Sequence, residues 1–439
     1  MRTRYRSPST RRWSAARIPA LVAVTLLGFA EPAVAQLRLP SIGLPSLSRL
    51  PSPSVQGTLD QAVSLKDLRA STVRDLLRRY PDRIEPDPSG HPVRRGELIW
   101  LAPSPQARQA ALAQGFTVLR EQDLPELGLR QLVMRAPEGE PIAAAAQRLR
   151  ALEPDADVDF NHIYLRSGDT GGSAAPASAP VRGLPRRVGL IDGGVDRRHA
   201  AFAQAHIQSF GCSGRELPSA HGTAVASLLV GRDGVFAGVQ PSAELFAADV
   251  YCDQPDGGAA EDMARALAWM VRERAPVINI SLVGPPNMLM DKAIQAVIRQ
   301  GHLVVAAVGN DGPAAAALYP ASYPGVVGVS GVAPSRRALP EAAQGPQVIL
   351  SAPGSELVAA RSGGGYVAVR GTSFAAPIVA GLLCEALSQP DTQAAAVALA
   401  QLERAATDLG EPGRDNVFGY GLVGESARTP PDRVAARRP

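Results

Sequence analysis

The sequence predicts an α/β protein in which a three-layer domain with a mostly parallel sheet is preceded by a small α+β domain. Three observations carry this. From Leu184 onward, short apolar runs (RRVGLID, ELFAADVY, VINISL, HLVVAAVGN, VVGVSGV, QVILSAPG) alternate with helical patterns such as AEDMARALAWMVRERA and MDKAIQAVIRQG. Runs apolar on both faces and spaced by helices belong to a buried parallel sheet. Residues 96–166 read instead as β-α-β-β-α-β, the order of a split βαβ or ferredoxin-like unit. Between the two lies SGDTGGSAAPASAPVRG, residues 167–183, whose Gly, Ser, Ala and Pro content predicts a flexible, protease-sensitive linker.

Taken in chain order, residues 1–35 place basic residues before an apolar stretch from Ile18 to Ala30 and end on Ala33-Val34-Ala35, the pattern of a signal peptide. The apolar stretch is too short for a stable membrane span. Residues 36–95 are first Pro/Ser-rich and then, over residues 60–80, spaced for a helix (Val63, Leu65, Leu68, Val73, Leu76, Leu77). In the small domain GELIWL is a strand, and SPQARQAALAQ is a helix opened by a Ser cap. FTVLRE and LRQLVMRA are strands, EPIAAAAQRLRAL is a helix, and ADVDFNHIYL is the last strand. The large domain spans residues 184–427, and 428–439 reads as a disordered basic tail.

Composition narrows the function. Of 439 residues 45 % are hydrophobic, enough for a large core. The net charge of +4 is an artefact of the leader, which carries six arginines against one acid, Glu31, and leaves a near-neutral body. Such a body has no electrostatic footprint for nucleic acid. Beyond the leader no run of eighteen apolar residues occurs, so no stable membrane span is expected after its removal. Three cysteines (Cys212, Cys252, Cys384) are too few for a disulfide scaffold or a zinc site. No dense Asp/Asn/Gly calcium loop is present either. No metal and no cofactor are expected.

Three motifs carry chemistry. VGLIDGGVD is a buried strand ending at Asp192, where an open parallel sheet gathers functional groups; taken alone, Asp-Gly is also a turn. AHGTAVASLLVG places His221 before a small-residue helix, where a histidine can equally be a structural donor. RGTSFAAPIVAGLLCEAL sets Ser373 at the start of an apolar helix. Helix dipole and free N–H groups there favour negative charge. A plain cap explains Thr372 and Ser373 but not Pro377 or the surrounding small residues. A serine needs a histidine to take its proton and a carboxylate to orient that histidine. The order Asp…His…Ser and the absence of GxSxG exclude α/β-hydrolases.

DGGVDRRH, HGTAVAS, AAVGNDG and GTSFAAP, in this order, resemble the subtilisin family of serine proteases from Leu184 to Ala427. The resemblance implies a serine endopeptidase with Asp192 as orienting carboxylate, His221 as base then acid, and Ser373 as nucleophile. It makes Asn310 the side-chain oxyanion donor and Ser281, Leu282, Val283 and Gly284 the wall that pairs with substrate backbone. It also makes residues 96–166 an inhibitory propeptide acting within the chain, with protein or peptide substrates as the other partners. Val283 and Gly193 depart from the family, which often has Gly and usually Ser or Thr there. Leu318, before Tyr319-Pro320-Ala321-Ser322-Tyr323-Pro324, stands at the pocket floor where many relatives have Gly. It predicts preference for a small residue before the cut bond. Cys212 and Cys252 lead toward the same cleft and are expected to pair, with Cys384 a buried thiol. A bridge 40 residues apart in sequence is worth about 4 kcal/mol in the chain-entropy model. His199 is expected to be structural and Asp249 a cleft-rim charge. The product is expected to be secreted or periplasmic. The alternatives are a catalytically silent binding protein and an esterase on the same fold. Fluorophosphonate labelling of Ser373 and comparison of peptide with ester turnover separate them.

Overall fold

The computed structural model describes residues 69–174, 186–234 and 236–431. The signal peptide 1–35, the Pro/Ser-rich stretch and the rest of the expected linker lie outside the described residues.

Helix α1 covers 69–79. It is followed by β1 (Ile84–Pro86), β2 (Pro92–Leu101), α2 (Pro105–Ala113), β3 (Thr117–Leu124), β4 (Leu129–Arg135), α3 (Ile142–Leu152) and β5 (Val158–Arg166). Ser104 caps α2 by accepting the Ala107 N–H at 3.2 Å, and Pro105 opens the first turn, where a missing N–H costs nothing. The strands form an antiparallel sheet in the order β5-β2-β4-β3. Alternation along β2 explains its apolar run. Leu98 and Trp100 pack with Ala111, Phe116 and Leu149 on the face covered by α2 and α3. Ile99 and Leu101 point the other way, into a core shared with Met263, Leu267 and Leu289 of the large domain.

The large domain contributes β6 (Asp169–Ala174), β7 (Arg187–Asp192), β8 (His206–Phe210), α4 (Ala220–Val230), β9 (Arg232–Asp233), β10 (Phe236–Ala237), β11 (Glu244–Asp249), β12 (Gly258–Ala259) and α5 (Ala260–Arg272). Then come β13 (Val277–Ile280), β14 (Leu282–Val283), α6 (Met288–Arg299), β15 (Leu303–Ala307), β16 (Val327–Val332), β17 (Val348–Pro353), β18 (Leu357–Ala360), β19 (Tyr366–Arg370), α7 (Thr372–Ala386) and α8 (Thr392–Ala405). Seven strands make one parallel sheet, β17-β16-β15-β13-β7-β11-β8. Residues of α4, α7 and α8 fill the core on one face, and residues of α5 and α6 fill it on the other. This is the expected three-layer α/β fold.

Polar contacts join the small domain to the large one. Arg83 and Arg94 both pair with the fully buried Asp256, at 2.8 and 2.5 Å. Arg120 bridges Glu97 and Glu261, 2.6 Å from each. Asn287, the cap of α6, donates to the Phe160 carbonyl at 3.0 Å.

Two boundaries differ from the sequence reading. Residues 169–174, expected as the start of the linker, form β6 and pair antiparallel with β19. Strand pairing engages only backbone N–H and C=O groups, which Gly and Ser carry as fully as any residue. The tail, expected to be disordered from residue 428, is held at its beginning. Arg428 donates to the Val332 carbonyl at 3.1 Å, and the Val358 N–H donates to the Thr429 carbonyl at 2.9 Å. Its remainder, 432–439, lies outside the described residues.

Candidate active site

The carboxyl ends of the central strands converge on one cleft, as open α/β sheets dictate. β7 ends there at Asp192, which is fully buried. Its Oδ1 accepts the Gly193 N–H at 2.7 Å, and both oxygens lie 2.9 Å from His221 Nδ1. His221 stands in the first turn of α4, whose cap Ser219 accepts the Gly222 N–H at 2.9 Å. A carboxylate on Nδ1 keeps the ring proton on that side, so Nε2 is an acceptor. Nε2 is buried and has no hydrogen-bond partner among the described residues.

Ser373 is also fully buried, in the first turn of α7. Pro377, four residues on, has no N–H to donate back to the Ser373 carbonyl. The Ser281 hydroxyl fills that gap, donating to the carbonyl at 2.9 Å, and accepts from Asn279 Nδ2 at 2.9 Å. The Ser373 hydroxyl itself donates to the Ser281 carbonyl at 3.2 Å. In this rotamer it is therefore turned to Ser281 rather than to His221 Nε2. Asn310 Oδ1 accepts the Thr372 N–H at 3.0 Å, and its Nδ2 donor lies beside Gly371. Gly371 has φ +131°, and a Cβ there would lie 2.7 Å from Asn310 Nδ2 and 2.9 Å from Gly168 Cα. Both the backbone angle and the close approach demand glycine.

The cleft is filled by the chain itself. On one side of β5, Ile163 and Tyr164 pair with Ala259 and Gly258 of β12. On the other, Leu165 and Arg166 pair with Val283 and Leu282 of β14. Tyr164 is fully buried against Gly284 and donates to the Pro285 carbonyl at 3.1 Å. The next carbonyl, that of Ser167, accepts the Ser373 N–H at 3.1 Å. The Ser167 hydroxyl lies 3.2 Å from Thr372 Oγ1. Gly284 and Tyr319 exchange two backbone hydrogen bonds, at 2.8 and 3.0 Å. Leu318 packs directly under Gly309, where a Cβ would meet its Cδ1 at 2.5 Å.

Cys212 and Cys252 form a disulfide with Cα atoms 4.9 Å apart, and Cys384 is a buried free thiol whose pKa burial pushes up to about 12. His199 is structural: Nδ1 accepts the Ala201 N–H at 3.0 Å and Nε2 donates to the Gly365 carbonyl at 2.6 Å. Asp249 ends β11, and its Oδ1 accepts the N–H groups of Tyr251 and Cys252 at 2.9 and 3.0 Å.

Two groups of side chains have metal-ligand spacing among the described residues: Asp87, His91 and His162, and Cys212, Asp249 and Cys252. In the second, both sulfurs are committed to the disulfide. In the first, Asn287 Oδ1 accepts the Met290 N–H at 3.1 Å, so its Nδ2 faces His162 Nδ1 at 3.0 Å as donor. That places the His162 proton on Nε2, where it donates to Asp87 at 3.2 Å and is not a ligand lone pair.

Sequence reasoning missed Ser167, Asn279 and Thr372. Ser167 and Asn279 carry no local signal, whereas Thr372 was read only as a cap. Asn287 was missed as well, although a cap residue just ahead of an amphipathic helix is a signal that could have found it.

The sequence model of the Subtilase family matches residues 186–421. The chain is 31 % identical over 305 residues to subtilisin amylosacchariticus of Bacillus subtilis subsp. amylosacchariticus, covering 64 % of this chain and 77 % of that protein. It is 28 % identical over 263 residues to minor extracellular protease Epr of Bacillus subtilis (strain 168), covering 59 % of this chain and 40 % of that one. Among solved structures, fervidolysin from Fervidobacterium pennivorans, a keratinolytic enzyme related to subtilisin, superposes with a TM-score of 0.64 at 20 % identity, covering 76 % of this chain and 61 % of that one. The match at that identity concerns the fold. Family model, sequence relatives and fold agree: the chain belongs to the subtilase family and is a serine endopeptidase.

Proposed function

We propose that this protein is an exported subtilisin-like endopeptidase made as a zymogen. In this reading Asp192, His221 and Ser373 form the triad, Asn310 is the oxyanion donor, and residues 36–167 are the propeptide. The observation that carries the reading is the placement of the Ser167 carbonyl on the Ser373 N–H, with residues 163–166 paired on both sides by the cleft strands. An extended segment held in this way is bound as a substrate is bound, by strand addition. The bond presented is Ser167–Gly168.

Chemistry then follows from the residues. Ser373 changes rotamer from the Ser281 carbonyl toward His221 Nε2, gives that nitrogen its proton, and its Oγ attacks the Ser167 carbonyl carbon. The oxygen that becomes negative meets the Ser373 N–H and Asn310 Nδ2, donors fixed before charge develops. His221 returns the proton to the Gly168 amine as the Ser167–Gly168 bond breaks. Water, activated by the same histidine, releases Ser167 from Ser373. The cleaved strand keeps its pairings with β12 and β14 and so continues to block the cleft. The leader at residues 1–35 supports export.

The test is the mature N-terminus. Active enzyme is expected to begin at Gly168, and N-terminal sequencing that finds Gln36, or no cut between 164 and 183, overturns the zymogen reading. Asn310→Ala should lower kcat by about 10²-fold or more with little change in KM, a magnitude carried over from the subtilisin oxyanion site. Steady-state kinetics on a peptide check this, and near-normal turnover removes Asn310 from the mechanism.

Specificity before the cut bond follows from Leu318. It occupies space beneath Gly309 that a large side chain would need, in keeping with serine at the docked position. Overpacking costs about 1–3 kcal/mol, and about 1.4 kcal/mol is tenfold. Leu318→Gly should therefore shift preference at that position from Ala or Ser toward Phe by about tenfold or more. A peptide library varied there reads the shift; an unchanged profile, or Phe preferred by the wild type, refutes it.

A further inference from the structure

The residue before Ser167 is held by more than its backbone. Arg166 is exposed, yet its guanidinium carbon lies 4.4 Å from the centre of the Tyr251 ring. That is well within cation–π range. Tyr251 is 6 % exposed, and its hydroxyl donates to the Tyr164 carbonyl at 3.3 Å, so the ring is fixed beside the docked strand. Beside the guanidinium is the Gly193-Gly194 turn. A Cβ on Gly193 would lie 3.2 Å from Arg166 Nη2, and one on Gly194 would lie 2.9 Å from Asp249 Oδ2. Guanidinium and carboxylate thus flank one turn that has no side chains of its own.

The same short segment joins carboxylate and ring. Asp249 Oδ1 holds the N–H groups of Tyr251 and Cys252, and the disulfide to Cys212 pins the far end of the turn. Burial raises the Asp249 carboxyl above its ordinary range. The two backbone hydrogen bonds act against this, Asp192 adds to it, and Arg166 lowers it. The cation that lowers the Asp249 carboxyl is thus carried by the docked strand.

We infer that Tyr251 and Asp249 select arginine at the second residue before the cut bond. This rests on the reading of Ser167–Gly168 as the bond presented to Ser373. It names a substrate class: extended segments with a basic residue followed by a small one before the cut, of which Arg166-Ser167 is the copy carried in the chain. Arginine suits the site better than lysine because its planar guanidinium lies flat on a ring, while a lysine offers a point charge.

The experiment uses mature enzyme and fluorogenic peptides Tyr-Leu-X-Ser followed by the reporter, with X as arginine, citrulline or alanine. Citrulline keeps the shape of arginine and removes the charge. The wild type should favour arginine over citrulline by about tenfold in kcat/KM. Tyr251→Phe keeps the ring and should keep the preference. Tyr251→Leu and Asp249→Asn should each reduce it to about threefold or less; the Asn oxygen still accepts both backbone N–H groups. Equal turnover of the arginine and citrulline peptides by the wild type overturns this inference and leaves the protease reading intact. Cleavage of none of the peptides overturns both.

Discussion

Replacement of Ser373 by alanine should yield a folded precursor that never cuts its own Ser167–Gly168 bond and has lost at least about 10⁴-fold of its peptidase activity. The change removes one oxygen at a fully buried position. That oxygen donates a single hydrogen bond, to the Ser281 carbonyl, so the stability cost is about 1 kcal/mol. The Ser373 N–H that holds the Ser167 carbonyl belongs to the backbone and survives. The docked strand should therefore stay in place, and the variant should be a stable trap of the uncut state. Intact-mass measurement of purified protein reads the bond directly, and thermal unfolding reads the fold. A variant that still processes itself to Gly168 would remove Ser373 from the mechanism, whereas one that melts far below the wild type would leave its loss of activity without catalytic meaning. Only the pair of results together makes the assignment.

Asp192→Asn should slow self-processing by about 10⁴-fold while leaving the geometry intact. The side chain is isosteric, and its oxygen can keep the Gly193 N–H that Asp192 Oδ1 accepts at 2.7 Å. The remaining position then carries an NH₂ group facing His221 Nδ1 across the 2.9 Å now spanned by the carboxylate. Two donors cannot face each other, so the histidine proton moves to Nε2. That nitrogen can no longer accept the Ser373 proton, and the imidazolium formed during the reaction loses its counter-charge as well. The rate at which the Ser167–Gly168 bond is cut in freshly refolded precursor, followed by mass spectrometry, measures the effect without needing mature enzyme. Processing within about tenfold of wild type would show that Asp192 does not set the tautomer.

The scaffold was legible in local pattern alone. Apolar runs such as HLVVAAV are buried on both faces wherever helices cover a parallel sheet, so continuous hydrophobicity identifies those strands without tertiary knowledge. The four motifs placed Asp192, His221, Ser373 and Asn310 on strand ends and helix starts, and each motif carries the small residues its site needs. Gly371 is the clearest case, since no other residue takes its backbone angle beside Asn310. GELIWL was legible as a strand, although not that both its faces are buried or which partner each face meets.

Which peptide bond meets Ser373 depends on long-range packing. Pairing of β5 with β12 and β14 is made by backbone groups that every residue carries, so composition cannot choose its register. The register follows from side chains distant in sequence: Tyr164 fits against Gly284 and reaches the Pro285 carbonyl, and Arg166 lies over Tyr251. For the same reason residues 169–174, a string of small residues expected as linker, become a strand once the edge of β19 is offered to them. Local patterns report what a segment can form; which partner it forms it with depends on surfaces brought together from opposite ends of the chain.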